Sequence, residues 1–412
     1  MNHKLKIFKP FDKKEILAAN KVMKSGVLSA FIASKDKSFY GGKKVIEFEN
    51  KFKKKFQVKY AISVNSWTSG LIIGIGALNL KPGDEVILSP WTMSACLASI
   101  LHWNAIPIFA DIDQNTFCID PKCIEKKISK RTKAIMAIDI FGNPCDMNKI
   151  KKISKKYNLK IISDSAQAIG AKYYGKYAGT LADLGGYSFN YHKHINTGEG
   201  GMIVTNNKKI ARHCQELRNH SEVTGSIKKN ESKNLLGFNN RLTEIQAAIG
   251  IEQLKKLNKI VKNKQKIATK FNKHFKKFEG LSTTLNLKNV TSSYYVYPLK
   301  VDPTVIKVHK NEILKQLIKR HVPIKGTYPM LHTLPILKTK NCSPLKNFPW
   351  SLNKKNKYKY KFGDCPVAES MNRDRYLGLN MWKYNYTDKD IKFIVKKFRE
   401  VWKKFGLKHD LD

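Results

Sequence analysis

The sequence has no long apolar run, and this absence excludes an integral membrane protein built from helices. Its richest apolar stretch, residues 71–80, is ten residues long, whereas a membrane-spanning helix needs about 20. The N-terminal segment also lacks an apolar core in front of a small-residue cleavage site, so we expect no secretory signal. Together the two absences predict a protein that has no membrane partner.

Cysteine is sparse and irregularly spaced. Seven cysteines occur, which is an odd number, and no two of them form a CxxC pair. This pattern argues against a disulfide framework and against a zinc site, so we expect no bound metal. Reduced thiols are the default inside the cell, and we therefore expect a cytoplasmic protein.

Arginine is scarce although the chain is strongly basic. The 77 basic residues outnumber the 32 acidic ones and give a formal net charge of +45, yet only eight are arginine. Nucleic-acid-binding proteins rely on arginine forks to recognise phosphates and bases, so we expect no nucleic-acid partner. The lysines are spread along the chain in short pairs typical of solvated helix faces, and their charge favours anionic ligands.

The remaining composition is that of an ordinary globular protein, with 42% hydrophobic residues. Between residues 59 and 206, short apolar runs alternate with amphipathic segments. This alternation predicts an α/β fold with a mostly parallel central sheet covered by helices. The candidate strands are 60–64, 85–88, 106–110, 134–138, 161–162 with its flanks, 186–189 and 202–205.

The second part of the chain has a different pattern. Residues 241–271 form a long helical pattern, a strand is predicted at 293–299, and a last helix at 388–405. A segment rich in lysine, asparagine and proline, residues 337–362, predicts a long surface loop. We therefore predict a large domain, residues 1–260, and a smaller α+β domain, residues 261–412.

Residues 63–70, with the sequence SVNSWTSG, follow a predicted strand and begin a predicted helix. Small hydroxyl residues at a helix N-terminus leave backbone N–H groups available, and the positive end of the helix dipole adds to their attraction for phosphate. Taken alone, an ordinary helix cap is the commoner explanation of such a segment.

Two further segments each place one functional group in a suggestive context. Asp164, in ISDSAQAIG, follows an apolar strand at the edge where open sheets bind ligands, although a lone aspartate there is more often a helix cap. Lys193, in SFNYHKHINTGEGG, lies between aromatic residues and glycines. A partly desolvated lysine has a lowered pKa and can form a Schiff base, although a lysine in this chain is most often a surface charge.

In order and spacing, these segments resemble the central motifs of the DegT/StrS family of pyridoxal-phosphate-dependent sugar aminotransferases. The family pattern E-D-x-A-Q corresponds to SDSAQ at 163–167, S-F-x-x-x-K to SFNYHK at 188–193, and T-G-E-G-G to the same letters at 197–201. The similarity covers most of residues 15–260. It implies the aspartate-aminotransferase-like fold, type I of the pyridoxal-phosphate enzymes, with the cofactor in the large domain.

The resemblance implies a role for each matching residue. Lys193 is similar to the lysine that forms a Schiff base with the cofactor and moves the proton, and Asp164 to the partner of the pyridine nitrogen. Gln167 would lie near the phenolic oxygen. Asn239 would reach the phosphate of the neighbouring subunit, in a homodimer with shared active sites. The remaining cofactor contacts implied are Ser188, Trp67 and Thr68 at the phosphate and Met93 at the ring.

Two of these positions depart from the family pattern. Trp67 stands where the family usually has a small glycine beside the phosphate, and Met93 stands where an aromatic residue commonly stacks on the cofactor ring. Methionine can also pack on a ring. The departures bear on the identity of the substrate more than on that of the cofactor.

The resemblance implies transamination. L-glutamate would convert pyridoxal phosphate to pyridoxamine phosphate, and a keto-sugar, nucleotide-linked by family precedent, would then receive the amine in aminosugar or lipopolysaccharide biosynthesis. The intact Lys193 favours this reaction over the family's dehydratase branch, in which histidine replaces the lysine. A sugar dehydratase, an aminocyclitol-forming aminotransferase and a non-catalytic family member remain alternatives. The candidate substrate contacts are His332, Tyr328, Arg218 and Arg241.

Overall fold

The computed structural model of the chain describes residues 3–33, 37–221, 236–284, 287–353 and 358–409. Within these ranges the strands predicted from sequence all occur, and their ends differ from the prediction by no more than three residues. In chain order the strands are β1 (Tyr60–Val64), β2 (Glu85–Leu88), β3 (Ile106–Phe109), β4 (Thr132–Ile138), β5 (Lys160–Asp164), β6 (Lys172–Tyr173), β7 (Lys176–Tyr177), β8 (Leu184–Ser188), β9 (Gly201–Thr205), β10 (Leu281–Thr283), β11 (Val290–Thr291), β12 (Val296–Val301), β13 (Ile324–Lys325) and β14 (Tyr376–Asn380).

Helices connect most of these strands. In chain order the α-helices are α1 (Lys13–Ser25), α2 (Lys43–Phe56), α3 (Trp67–Ala77), α4 (Ser94–His102), α5 (Pro121–Lys126), α6 (Met147–Tyr157), α7 (Lys208–Arg218), α8 (Glu244–Phe275), α9 (Lys310–Lys319), α10 (Pro335–Thr339), α11 (Pro366–Ser370) and α12 (Asp388–Lys404). Side-chain caps at Asp12 and Thr243 define the starts of α1 and α8, each through a reciprocal capping box. Over the described ranges, no helix combines the length and the apolar content needed to cross a bilayer.

The larger sheet has seven strands in the order β1-β9-β8-β5-β4-β2-β3. Strands β8, β5, β4, β2 and β3 are mutually parallel, and only β9 is antiparallel to its two neighbours. Every residue of β2, β8 and β9 is buried, as expected for a sheet that helices cover on both faces. The α/β class and the mostly parallel sheet predicted from sequence are therefore confirmed.

The second sheet is smaller and antiparallel. It has the order β10-β12-β14-β13, and α9, α12 and the end of α8 pack against it around a core that includes Phe271, Phe398 and Trp402. The predicted division at residue 260 falls inside α8, which runs without interruption from one sheet to the other. The division into two domains stays a prediction.

The N-terminal segment packs beside the second sheet, against residues from the other end of the chain. Nε2 of His3 lies 2.7 Å from a carboxylate oxygen of Asp390, and Ile7 forms a backbone bridge with Tyr384. His3 and Ile7 therefore contact the last helix and the segment before it, a long-range contact that no local pattern indicates.

The segment 337–362 is only in part the surface loop predicted from its composition. Leu337 and Trp350 are buried, and the Tyr360 hydroxyl donates a hydrogen bond to the Pro107 carbonyl in the large sheet, at 2.9 Å. Residues 354–357 of this segment lie outside the described ranges. The lysines and asparagines between these widely spaced anchors obscure the apolar pattern, and the prediction was wrong for the anchored part.

Candidate active site

The carboxyl ends of β5 and β8 lie side by side and carry two of the predicted site residues. Asp164 ends β5 and Ser188 ends β8, and the parallel register pairs Asp164 with Gly186. Both side chains are buried, with 6% of Asp164 and 7% of Ser188 exposed. This edge of an open α/β sheet is where ligands bind.

The N-terminus of α3 reaches the same edge. Ser66 caps the helix, and Trp67 and Thr68 are its first two residues. Their N–H groups have no acceptor within the helix, so this turn can bind a phosphate. The sheet approaches it closely because residue 201 is glycine: a Cβ there would lie 2.8 Å from the Trp67 nitrogen. Gly201 also pairs with Ser188, which brings that hydroxyl beside the helix turn.

The carboxylate of Asp164 is held by three hydrogen-bond donors. Its Oδ1 accepts from Nε1 of Trp67 at 2.8 Å and from the Ala166 N–H at 3.0 Å, and its Oδ2 accepts from the Cys96 thiol at 3.0 Å. A thiol is a weak donor, so Oδ2 has the most capacity for a stronger one. Burial and the charge of Asp164 raise the pKa of the Cys96 thiol, which therefore keeps its proton.

The Lys193 side chain is buried over an aromatic ring. Only 8% of the residue is exposed, and Nζ lies 4.6 Å from the centre of the Tyr295 ring. Within the described ranges, no acceptor takes a hydrogen bond from this Nζ. Burial lowers the pKa of Lys193 to about 8, against the opposing charges of Asp164 and Glu199. Such an amine is partly neutral near pH 7 and can act as a nucleophile and as a base.

The two histidines beside Lys193 remain neutral. Nε2 of His194 lies 2.8 Å from the Ser293 carbonyl and carries the hydrogen of that contact, and burial lowers the pKa of His194 to about 3. Burial, together with the charges of Lys193 and Lys325, lowers the pKa of His192 to about 4. Lys193 is therefore the group of this motif that titrates near neutral pH.

Gln167 connects the large sheet to a distant part of the chain. Its Oε1 accepts a hydrogen bond from the Phe141 N–H at 2.9 Å, and its Nε2 donates to the Tyr328 hydroxyl at 2.8 Å. The Tyr328 ring lies parallel to that of Trp91, with centroids 6.1 Å apart. Burial raises the pKa of Tyr328 to about 12, so the phenol keeps its proton.

These groups fit pyridoxal phosphate in three independent ways. The first turn of α3 offers N–H groups to a phosphate, and Asp164 offers a buried carboxylate oxygen to a ring nitrogen. Lys193 offers a buried amine that no oxygen of the described residues engages. No group of three or more histidine, cysteine or acidic side chains suited to a metal occurs in the part of the chain that the structure describes.

Two of the predicted cofactor contacts lie at exposed positions. Met93 precedes α4 with 60% of its surface exposed, and Asn239 is exposed while its backbone forms a bridge with Asn219. Thr68 is half-buried in the first turn of α3. The contacts of Met93 with the ring and of Asn239 with a neighbouring subunit stay predictions.

The structure places Arg218 in the interior of the fold. The residue is fully buried, and its Nη1 lies 2.6 Å from a carboxylate oxygen of Glu49 and 3.0 Å from the Ser63 carbonyl. Its guanidinium also packs over the Phe31 ring, 4.8 Å from the centroid. This geometry argues against the substrate contact predicted from sequence, because the groups that would bind the substrate already hold the fold together.

His332 is likewise part of the interior. It is fully buried, its Nε2 lies 2.8 Å from a carboxylate oxygen of Glu369, and that carboxylate also accepts from the Gly363 N–H. Arg241 is half-buried and donates from Nε to Asn219 at 2.9 Å. The predicted substrate role of His332 is therefore not supported by the geometry, and that of Arg241 stays a prediction.

Sequence reasoning missed three residues that contact this site, namely Cys96, Tyr295 and Phe141. Cys96 is the third residue of α4 and is buried, whereas Met93 precedes the helix and is exposed, so the prediction at Met93 gave no signal for Cys96. Tyr295 falls just before β12, in an aromatic stretch without any motif. Phe141 contributes only its backbone N–H, for which side-chain patterns give no signal.

Comparison with known proteins agrees with this geometry. A sequence model described as the DegT/DnrJ/EryC1/StrS aminotransferase family matches residues 27–375. The GDP-perosamine synthase of Escherichia coli O157:H7 is 33% identical over 312 residues, covering 76% of this chain and 82% of that protein. The UDP-4-amino-4,6-dideoxy-N-acetyl-beta-L-altrosamine transaminase of Campylobacter jejuni is 34% identical over 300 residues, covering 72% and 78%.

A solved structure shares the complete architecture. The aminotransferase from Psychrobacter cryohalolentis superposes with a TM-score of 0.81 at 25% sequence identity. The match covers 98% of this chain and 100% of that one. The fold described above is therefore that of an aminotransferase over nearly its full length.

Proposed function

We propose the function of this chain from its family and its site: the chain belongs to the DegT/DnrJ/EryC1/StrS aminotransferase family, and its cofactor is pyridoxal phosphate. We propose that it moves an amino group from L-glutamate to a keto-sugar that is linked to a nucleotide. The product would be an aminosugar precursor of a surface glycan such as lipopolysaccharide. The proposed location of the enzyme is the cytoplasm, in keeping with seven cysteines that are all free thiols.

The observation that carries the proposal is the environment of Lys193. A buried ammonium normally donates hydrogen bonds to oxygens, since an unpaired buried charge is costly. The Lys193 Nζ instead lies over the Tyr295 ring near the Asp164 carboxylate, with a pKa lowered to about 8. An amine in this state is available for covalent chemistry with a carbonyl compound.

The neighbouring residues divide the remaining work. Bound pyridoxal phosphate supplies an electron sink for the bond broken at the amine-bearing carbon. Asp164 would hold the ring nitrogen, and the first turn of α3 would hold the phosphate. Nζ of Lys193 would take a proton from the donor carbon and return one to the acceptor carbon, a role that contributes about 10²–10⁴-fold in such catalysis.

The proposal of a nucleotide-linked sugar has two supports. The first is the relatives: one is named for a GDP-linked product and another for a UDP-linked one. The second is charge, because a diphosphate is drawn to a chain of net charge +45. Lys325, which is exposed, lies close enough to His192 to help lower the pKa of that imidazole, so a cation is present near the site.

We also propose a homodimer with shared active sites. In the part of the chain that the structure describes, ten large apolar side chains between residues 7 and 46 are exposed. Large apolar side chains exposed in such number favour a role in an interface, and a second copy of the chain is the partner that the resemblance implies. Five of the ten are Ile16, Leu17, Val27, Leu28 and Ile32. Light scattering of the purified chain tests this proposal, and a monomer at micromolar concentration would contradict it.

The absorbance of the purified chain tests the cofactor and donor parts of the proposal. Adding pyridoxal phosphate should produce a visible absorption band, and adding L-glutamate should remove it. Lys193→Ala should bind the cofactor without this band. Lys264→Met is the matched control, since Lys264 is also buried and its pKa is lowered to about 7, yet its Nζ donates to the Met381 carbonyl. This control should keep the band.

The acceptor is tested by product analysis with GDP-linked and UDP-linked keto-deoxysugars. Mass spectrometry should find an amine in place of the ketone oxygen. A product that has lost a hydroxyl and gained no nitrogen would instead identify a dehydratase. Amination of a free inosose in preference to every nucleotide sugar would identify an aminocyclitol-forming enzyme.

A further inference from the structure

The indole of Trp67 has an unusual position for a residue at the start of a helix. Its backbone belongs to the turn proposed to bind phosphate, but its side chain turns inward and donates from Nε1 to Oδ1 of Asp164 at 2.8 Å. Only 4% of the residue is exposed. One residue therefore contacts the site twice, through its backbone at the phosphate and through its side chain at the carboxylate.

Two glycines make room for this indole. A Cβ at Gly186, in β8, would lie 2.1 Å from the nearest ring carbon, and one at Gly70, in α3, would lie 2.6 Å from the ring. The indole thus fills a space between helix and sheet that any side chain at residue 70 or 186 would obstruct. Its orientation is fixed by packing on both sides, so the N–H is held toward Asp164 rather than merely reaching it.

We propose that Trp67 is a positioning residue, which fixes the Asp164 carboxylate so that Oδ2 is presented to the ring nitrogen of the cofactor. This inference rests on the function proposed above. It concerns the side chain of Trp67, whereas the phosphate contact predicted from sequence concerns its backbone.

The distribution of donors explains how this positioning works. Among the residues that the structure describes, Oδ1 accepts from two N–H groups, those of Trp67 and Ala166, and Oδ2 accepts only from the thiol of Cys96. A cationic ring N–H forms a charge-assisted hydrogen bond that is stronger than a thiol's, so it displaces the thiol at Oδ2. With Oδ1 held by two donors, the carboxylate does not rotate to exchange its oxygens.

The choice of an indole also suits the charge of the ligand. An arginine or lysine in this place would hold the carboxylate more strongly, but its positive charge would oppose the cationic ring nitrogen. The indole N–H is a neutral donor with no acceptor capacity of its own. It therefore orients Asp164 and leaves the carboxylate's negative charge for the cofactor.

Trp67→Phe tests the proposal, because phenylalanine keeps an aromatic ring and removes the N–H. We expect the dissociation constant for pyridoxal phosphate, measured by absorbance titration, to rise about tenfold, as for the loss of a hydrogen bond to a charged group. The pH midpoint of the bound cofactor's visible absorbance should move by about half a unit or more, because the ring nitrogen is held differently. Neither readout depends on turnover.

Trp103→Phe is the matched control. Trp103 is half-buried at the end of α4, and its Nε1 donates to the Ile72 carbonyl at 2.7 Å, away from Asp164. The control should lose stability in urea much as Trp67→Phe does, yet leave both cofactor readouts unchanged. If Trp67→Phe binds the cofactor as tightly as the wild type, with the same pH midpoint, the proposal is overturned.

A second measurement on the wild-type protein covers the case in which Trp67→Phe does not fold. The protein is labelled on tryptophan, and the signals of the indole N–H groups are recorded. The signal of Trp67 is assigned as the one that the Asp164→Asn substitution shifts most. This N–H should stay protected from hydrogen exchange when the cofactor binds, and loss of protection on binding would overturn the proposal. A wild-type chain that binds no pyridoxal phosphate at all would contradict the proposed function itself.

Discussion

Two buried lysines in different regions of this protein have different roles. In the second half of the chain, Lys310 of α9 donates hydrogen bonds to the carbonyl oxygens of Gly326, Asn372 and Tyr376. At the edge of the large sheet, Lys193 has no such acceptor within the described ranges. Burial lowers the pKa of each of the two amines to about 8. Burial and a lowered pKa therefore do not identify a reactive lysine, whereas the absence of acceptors separates the two.

The comparison also shows what a structural lysine does for the site. The Asn372 side chain accepts a hydrogen bond from the Tyr328 N–H at 3.0 Å, and the Tyr328 hydroxyl accepts from Gln167. Lys310 links Gly326 to Asn372 and so stabilises the segment that contains Tyr328. Through Tyr328, this segment contacts Gln167 at the large sheet. One lysine is placed for chemistry, and the other supports a residue beside that chemistry.

Exchanging each lysine for methionine tests the comparison most directly. Lys193→Met should lose the visible absorption band with pyridoxal phosphate and at least about 10³-fold in turnover, because a covalent partner and a base are both removed. Lys310→Met should keep the band but lower the free energy of unfolding by about 2–4 kcal/mol, because three carbonyls lose their donor. Absorbance and urea unfolding separate the two outcomes, and loss of the band in Lys310→Met would contradict the distinction.

Arg218 extends the contrast from buried lysines to a buried arginine. Arg218→Met should lower the free energy of unfolding by about 3–5 kcal/mol, because it leaves the Glu49 carboxylate buried without its cation. Adding Glu49→Gln should recover part of that loss. A normal stability with a raised KM for the keto-sugar would restore Arg218 as a substrate contact.

The pKa of Lys193 predicts how fast the cofactor-free chain captures pyridoxal phosphate. Only the neutral amine attacks the aldehyde, so the capture rate should rise about tenfold per pH unit below pH 8 and level off above it. A lysine with its ordinary pKa of about 10.4 would show a continued rise through pH 9. Stopped-flow absorbance between pH 6 and 9.5 distinguishes these profiles.

The lowered pKa of Lys264, which is also caused by burial, predicts that the stability of the chain depends on pH. Burial lowers its pKa to about 7 in the folded chain, whereas the unfolded chain has a lysine pKa of about 10.4. Between these values the unfolded state binds the additional proton, so the free energy of unfolding should rise with pH, by up to about 1.4 kcal/mol per unit for one group. Urea unfolding at pH 7 to 8.5 should show a smaller rise for Lys264→Met than for the wild type. Equal slopes would contradict the assignment.

The sequence predicts the residues at the edge of the large sheet better than it predicts their partners from distant parts of the chain. The sheet follows from local apolar runs, and the residues at its edge follow from short motifs, so Asp164 and Lys193 are identifiable from the amino-acid sequence. Asp164 ends β5 and Lys193 follows β8, and these two strands are parallel neighbours in the sheet, so their carboxyl ends meet at one edge. Local apolar runs were sufficient to predict this edge of the sheet, and the resemblance to the family motifs singled out these two residues on it.

The partners of these residues could not be predicted in the same way. Tyr328 reaches Gln167 across 161 positions, and Arg218 reaches Glu49 across 169. A buried arginine and a substrate-binding arginine have the same local sequence pattern, since each is a single charge beside apolar residues. Only the three-dimensional contacts show that the side chains of Arg218 and His332 pair with buried carboxylates of the fold. For this reason, two of the four predicted substrate contacts were not supported.

Cys96 gives the smallest expected effect and the sharpest check on how Asp164 is held. Its thiol keeps its proton and donates to Oδ2, the oxygen that the proposed cofactor contact requires. Because the thiol must give way when the cofactor binds, Cys96→Ala should change the dissociation constant for pyridoxal phosphate by less than about twofold. The loss of an N–H at Oδ1, by contrast, should weaken binding about tenfold. Cys145→Ala, which removes another buried thiol that donates to the Ile138 carbonyl, controls for the effect of truncation. A tenfold weaker binding in Cys96→Ala alone would mean that the thiol holds the carboxylate alongside the cofactor, and the two oxygens of Asp164 would then not have separate roles.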